Sequence, residues 1–166
     1  MLPRNLGHVT GRHLAEHDYA LYIALERDAA VKKYVQGPSS REDDELLATL
    51  RCRTPDIDLL AIAENKTDVF IGRCGLLASR VRTELEIYCL VEQNCWGQGV
   101  GASVIQFLCD LAHARNCRVI GIVHPANTRS IALLAKLAWV QRCTISQDGK
   151  QHGHLLYDEP CQPLAS

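Results

Sequence analysis

The sequence predicts an α/β (α+β) domain organised on one central, twisted, mostly antiparallel sheet, with helices on both faces and a single parallel strand pairing. Three observations carry that expectation. Residues 58–91 hold three short apolar runs joined by short links, the pattern of an antiparallel meander. Gly101 to Arg115 places Val104, Ile105, Leu108, Leu111 and Ala112 on one stripe at helical spacing. Arg118 to Val123 follows as a continuous apolar run, as in a strand buried on both faces. A strand-helix-strand unit of this kind requires a parallel pairing inside an otherwise antiparallel sheet.

In chain order, Val9–Leu14 reads as a short edge strand. From Asp18 the pattern turns helical, with Tyr19, Tyr22, Ile23 and Leu25 on one side and Glu26 and Arg27 turned away. The breaker Gly37-Pro38-Ser39-Ser40 precedes a second helix to about Leu50, with Ser39 or Ser40 as its cap and acids in its first turn. Strands are expected at Asp58–Glu64, Val69–Ala78 and Glu84–Val91, the first ending in the turn signal Asn65-Lys66. Asn116 stops the helix that begins at Gly101. Asn127 or Thr128 caps a further short helix, with Ile131, Leu134, Leu137 and Ala138 inward. Val140–Ser146 and His152–Tyr157 close the chain as a hairpin around Asp148-Gly149. The strands number six, or seven with Val9–Leu14, and no repeat or linker divides the chain, so residues 1–166 read as one domain.

Composition excludes several function classes. A formal net charge of -1 provides no bulk attraction to nucleic acid or anionic membrane. Met1–His8 lacks the apolar core of a secretory signal, and no apolar run approaches the roughly 18 residues of a membrane helix. The expectation is a cytoplasmic protein, as monomer or homodimer, with no nucleic-acid or membrane partner. The eight cysteines are then reduced. They form no C-x-x-C pair, so they read as small packing residues rather than a zinc or redox motif. His152 and His154 share a strand face, but no third ligand is evident, so no metal is expected.

The segment Trp96-Gly97-Gln98-Gly99-Val100-Gly101 lies between a strand and the strongest helix of the chain. Glycines there let the backbone turn tightly, and the loop amides converge with the free N–H groups of the helix start on one point. That arrangement suits a phosphate or pyrophosphate. Gly97 to Ala102 formally matches the G-x-G-x-x-A of a dinucleotide fold. However, Glu92–Trp96 intervenes after the strand, and the next strand ends at Val123-His124 with no acid for a ribose. The Gly-Lys-Ser/Thr of a phosphate-binding P-loop is absent. Taken alone, the loop also fits a plain glycine-rich turn.

It is followed, beyond the next strand, by His124-Pro125-Ala126-Asn127-Thr128-Arg129-Ser130 and then by Leu133, Lys136, Leu137, Ala138 and Trp139. With these residues the chain resembles the GNAT superfamily of acyl-CoA N-acyltransferases. Within it the chain is similar to the RimJ/RimL-type branch, the ribosomal-protein N-terminal acetyltransferases. The family's Q/R-x-x-G-x-G/A loop is matched at Gly99 and Gly101, and the branch's Trp-Gly-Lys-Gly stands here as Trp96-Gly97-Gln98-Gly99. The downstream N-x-x-S…K-x-G-F pattern stands as Asn127, Ser130, Lys136, Ala138 and Trp139. The match is firm over residues 84–140 and looser over 18–37.

The resemblance implies acetyl-CoA as acyl donor and a primary amine as acceptor, either a protein N-terminus or a small molecule, with direct attack and no acyl-enzyme. It implies cofactor contacts at Leu90, Val91, Trp96, Gly97, Gln98, Gly99, Val100, Gly101, Ala102, Asn127, Ser130 and Lys136. Main chain at Leu90 or Val91 would pair with the pantetheine arm in a splay beside Arg118–Val123 and polarise the thioester carbonyl. Ser130 would donate to the CoA sulfur; the Tyr that many members carry further along this helix is Leu134 here. The base is open between Glu84 and Glu86, which share a strand face with Tyr88, and His124 at the end of the parallel strand. Gln98 replaces a basic residue, and Ala138-Trp139 replaces Gly-Phe. An acyl-CoA sensor without turnover is the alternative that the missing Tyr and the missing basic loop residue suggest.

Overall fold

The computed structural model describes residues 2–35, 58–145 and 154–160. Its strands form one sheet in the order β1-β2-β3-β4-β5-β6-β8-β7, eight where the sequence suggests six or seven. The addition is β1 (Arg4–Asn5), two residues paired antiparallel with β2 (Val9–His13). Its side chains are exposed, so no apolar alternation marks it in the sequence. As a result β2 is interior to the sheet, not an edge. Gly11 of β2 is required by packing: a Cβ there would lie 2.6 Å from the Phe107 ring.

The meander is present as β3 (Leu60–Glu64), β4 (Phe70–Ala78) and β5 (Glu84–Val91), paired antiparallel in sequence order. From β5 the chain passes a short 3-10 turn (Gln93–Cys95) into helix α3 (Val100–His113) and returns as β6 (Arg118–Val123), parallel to β5. Asn116 takes φ +56, as a helix stop should. Helix α4 (Thr128–Lys136) then leads to β7 (Val140–Ile145) and β8 (His154–Asp158). These last two strands pair antiparallel, and it is β8 that lies against β6. The expected turn at Asp148-Gly149 and the expected helix from Ser39 to about Leu50 lie outside the described residues.

Two layers cover the sheet. On one face, α3 buries Val104, Phe107, Leu108 and Ala112 against Leu60, Ile62, Leu76 and Val119. On the other, α1 (Tyr19–Arg27) and α2 (Ala29–Lys32) bury Tyr22, Leu25 and Val31 against Ala61, Phe70 and Leu90. Asp28 caps α2 by accepting from the N–H groups of Ala30 and Val31, a contribution of about 1 kcal/mol. Glu26, expected to turn away, is instead buried and accepts from Lys32 at 2.6 Å and from Arg73 of β4. Apolar periodicity cannot register an inward carboxylate whose partner is far along the chain. Arg73 in turn lies over the rings of Tyr22 and Tyr88. Burial pushes the Glu26 carboxyl up, but the two cations outweigh it and hold it below its ordinary value. Ala138, expected inward, is exposed at φ +60 in the turn after α4, while Trp139 takes the core position.

The described cysteines are free thiols. Burial pushes Cys89 and Cys109 up to about 12, which keeps them protonated and suits packing rather than nucleophilic roles. Among the described residues no helix is long and apolar enough to cross a membrane, and no cluster of three metal-ligating side chains occurs.

Candidate active site

The centre of the site is an interrupted pairing. β5 and β6 are in register from Glu84↔Arg118 to Ile87↔Gly121 and no further. Beyond that point Tyr88–Val91 faces Ile122–Val123 across an open split. The direction of the main chain there follows from one hydrogen bond on the other edge of β5: the Glu92 N–H donates to Ile71 O of β4. Backbone groups alternate sides along a strand, so Leu90 directs its N–H and C=O at β4, and Val91 and Cys89 direct theirs into the split. Tight β4 packing at Gly72, where a Cβ would lie 2.5 Å from Leu90 O, agrees with this. Of the two expected main-chain contacts, Val91 faces the split and Leu90 does not. Cys89 joins it, a residue the sequence offers only as packing.

Trp96 closes the far end of β5. Its indole N–H donates to Val91 O at 2.8 Å, which satisfies that carbonyl and leaves the Val91 N–H facing the split. Arg129, at the start of α4, stacks over the Trp96 ring at 4.1 Å. Trp96 is therefore a brace between β5, the glycine loop and α4.

The glycine loop divides into two kinds of glycine. Gly97 (φ +79) and Gly99 (φ +84) are left-handed, and the space where their Cβ atoms would sit is empty to 4 Å. Gly99 is the N-cap of α3 and makes no side-chain cap bond, so the first-turn amides of Val100, Gly101 and Ala102 are left for a ligand. Gly101 differs: a Cβ there would lie 2.9 Å from the Leu133 side chain of α4, so a larger residue would crowd that helix. Gln98 folds back and donates to Asn94 O at 2.8 Å, tying the loop rather than pointing outward. The open left-handed turn, the uncapped helix start and the neighbouring split together fit a pyrophosphate with an extended arm.

On α4, Asn127 is the N-cap, accepting from the Ser130 N–H at 3.2 Å. The half-buried Ser130 keeps its hydroxyl out of the cap and makes no side-chain hydrogen bond among the described residues. Leu134, which stands where the resemblance implies a Tyr, is buried against Gly121. Lys136 is exposed at the far end of the helix.

The acidic candidates lie at the other end of β5. Glu84 is buried and accepts from Arg142 of β7 at 2.9 Å, and Arg142 also holds Asp158. It stands six residues, or roughly 20 Å, from Leu90. Glu86 is half-buried, and burial holds its carboxyl above the ordinary value. Near the split on the α1 side, Tyr88 donates to Asp58 O at 2.5 Å. A cavity of about 460 Å³ opens there, lined by Ala24, Leu25, Asp28, Glu92, Gln93 and Asn94.

A family model described as the acetyltransferase (GNAT) domain matches residues 8–140. The chain belongs to the GNAT acetyltransferase family. It is thus an acyl-CoA-dependent N-acetyltransferase in class, and its mixed sheet with one parallel pair is the GNAT fold. No curated protein matches the chain. Solved structures share the fold at low identity. A GNAT-family acetyltransferase from Bacillus anthracis is 14% identical over 95% of each chain, with a TM-score of 0.77. Spermidine N-acetyltransferase from Vibrio cholerae, in complex with CoA and spermine, is 15% identical over 90% of this chain and 94% of that one, with a TM-score of 0.75. Ribosomal-protein-alanine N-acetyltransferase from Brucella melitensis is 20% identical over 90% and 98%, with a TM-score of 0.69.

Proposed function

We propose that this GNAT chain, a single domain over residues 1–166, moves acetyl from acetyl-CoA to a primary amine by direct attack. The observation that carries the reading is the Val91 N–H, aimed into an open strand split beside an uncapped, glycine-lined helix start. Acetyl-CoA brings an activated acyl group; the protein's residues bind it, orient it and handle charge. The amides of Gly97–Ala102 hold the pyrophosphate, with Gln98 and Val100 shaping the loop around it. The main chain of Val91 and Cys89 pairs with the pantetheine arm, and Val91 supplies a donor for charge developing on the carbonyl oxygen. Asn127 fixes the first turn of α4, which leaves the Ser130 hydroxyl to protonate the departing thiolate. Lys136 serves the outer, adenosine end.

Glu84 leaves the list of bases, because Arg142 holds it far from the split. The acceptor enters from the α1 side, where Asp28 and Glu92 line a cavity suited to a cationic amine. The Trp96-Gly97-Gln98-Gly99 loop supports the RimJ/RimL-type branch, and with it a peptide N-terminus alongside small-molecule amines as acceptor classes. The site needs no metal in this scheme, and the setting is the cytoplasm.

Free-thiol release from acetyl-CoA with a panel of peptides and polyamines tests the proposal. Turnover is expected, falling about tenfold to a hundredfold in Ser130→Ala. CoA binding without thiol release would instead support a sensor, the reading that the buried Leu134 favours. An unfolding midpoint that excess acetyl-CoA leaves unchanged would overturn both.

A further inference from the structure

On the acceptor side of the sheet the chain places two histidines where two strands end. β6 and β8 pair through Val123↔Leu155, which sets His124 opposite His154. Val119 and Val123 pack into the core with α3, so by alternation Ile122 and His124 face the opposite layer, as do Leu90 and Tyr88 of β5. The two imidazoles meet edge to face with centroids 5.4 Å apart, and Tyr34, just beyond α2, stacks on His124 at 5.4 Å. The cluster therefore stands at the mouth of the split, across the sheet from the glycine loop.

The hydrogen bonds distinguish the two rings. His124 Nδ1 accepts from the Ala126 N–H at 3.1 Å, so the neutral ring carries its proton on Nε2 and has no lone pair to offer. His154 is 93% buried, since only 7% of it is exposed, and its Nδ1 has no hydrogen-bond partner among the described residues. A buried polar nitrogen without a partner is costly unless a ligand completes it.

Building on the acetyl-transfer reading, we infer that His154 accepts the proton of the acceptor amine and that His124 is its positioning residue. The balance is as follows. The ammonium gives one proton to His154. The freed lone pair bonds to the thioester carbonyl carbon, the C–S bond breaks, and the nitrogen sheds a second proton as the amide forms. The thiolate takes a proton through Ser130, so one proton in total reaches solvent per turnover.

The surroundings suit that role. Among the described residues the titratable group in ring contact with His154 is His124 on β6; Tyr34, with Lys33 beside it, stacks on His124, and Asp158, tied to Arg142, stands four residues further along β8. Burial first, and His124 second, hold His154 below the ordinary histidine value, so it rests neutral and ready to accept. Glu86, the remaining carboxylate of this face, lies four residues further from the split than Leu90.

The test is the pH dependence of kcat/KM for wild type and His154→Gln, with acetyl-CoA and either an alanine-initiated peptide or spermidine, alongside the CoA dissociation constant. The expected result is a loss of at least about a hundredfold near neutral pH, recovered as pH rises past the amine's own pKa. Affinity for CoA should change less than about twofold, since the ring lies across the sheet from the cradle. His124→Gln should move the acidic limb to higher pH, because it removes one of the two influences holding His154 down. This second variant keeps the test open if His154→Gln does not fold. An unchanged profile in the histidine variants of an active enzyme, or loss of the limb in Glu86→Gln alone, would overturn this inference only. No thiol release by wild type with either amine would overturn the acetyl-transfer reading beneath it.

Discussion

The two ends of β5 are held in opposite ways. At its start the strand is paired on both sides, and its charged group, Glu84, is clasped by Arg142, which remains about a third exposed. At its finish β6 has departed, and the charged network behind the strand centres on a buried carboxylate: Glu26, held by the half-buried Lys32 and Arg73, with Arg73 opposite Leu90 on β4. The comparison teaches where each kind of interaction counts. Where backbone pairing is complete, an ion pair on the rim adds little. Where pairing is given up to make room for a ligand, a desolvated network behind the sheet keeps the open main chain in place.

Breaking the buried network should have the largest effect. Glu26→Ala strands Arg73 in the interior and is expected to cost about 3–5 kcal/mol, read by thermal or denaturant unfolding. The pH dependence sharpens the point. Because Glu26 is held below its ordinary value when folded, its contribution is complete above roughly pH 4.5 and is lost as pH falls through the lower folded value. Glu26→Gln should flatten that acid limb of the stability curve.

Next comes the open main chain itself. Val91→Pro removes the N–H that faces the split without taking a bond from the β4 ladder. It should lower kcat by about 10²–10³-fold with the circular dichroism spectrum retained. Gly99→Ala follows: there is space for the methyl, so the cost is the left-handed backbone alone, about 1 kcal/mol in unfolding and a smaller acetyl-CoA-induced rise in Tm. Smallest is Asp158→Asn at the closed end, which loosens the Arg142 clasp but leaves the buried Glu84 its partner; it is expected to cost no more than about 1 kcal/mol, to be weakened by salt, and to leave CoA affinity unaltered. Equal effects of Glu26→Ala and Asp158→Asn would erase the distinction between the two ends.

Much of this was legible in the chain. Glu84–Val91 and Arg118–Val123 are strands at the expected residues, because uninterrupted apolar runs bounded by turns have few other solutions. Asn127 caps α4 as its side-chain chemistry suggests. What escaped was whatever depends on partners distant in sequence. Nothing local to Glu26 announces Arg73, and nothing in Gly101 distinguishes a phosphate contact from a helix contact. Leu90 and Val91 are equivalent as letters; only the bond from Glu92 to Ile71 decides which one faces the split. The two-residue β1 has no periodicity to read. His124 and His154 lie thirty residues apart and meet only because β8, rather than β7, takes the place beside β6.

The contact of Gly101 with Leu133 has a consequence for selectivity. On the proposed reading it helps set the spacing between the diphosphate anchor on α3 and the hydroxyl of Ser130 on α4. The protein would then work as a calliper: acyl donors whose arm between phosphates and thioester sulfur is shorter or longer than that of CoA are expected to be poor substrates, whatever acyl group they carry.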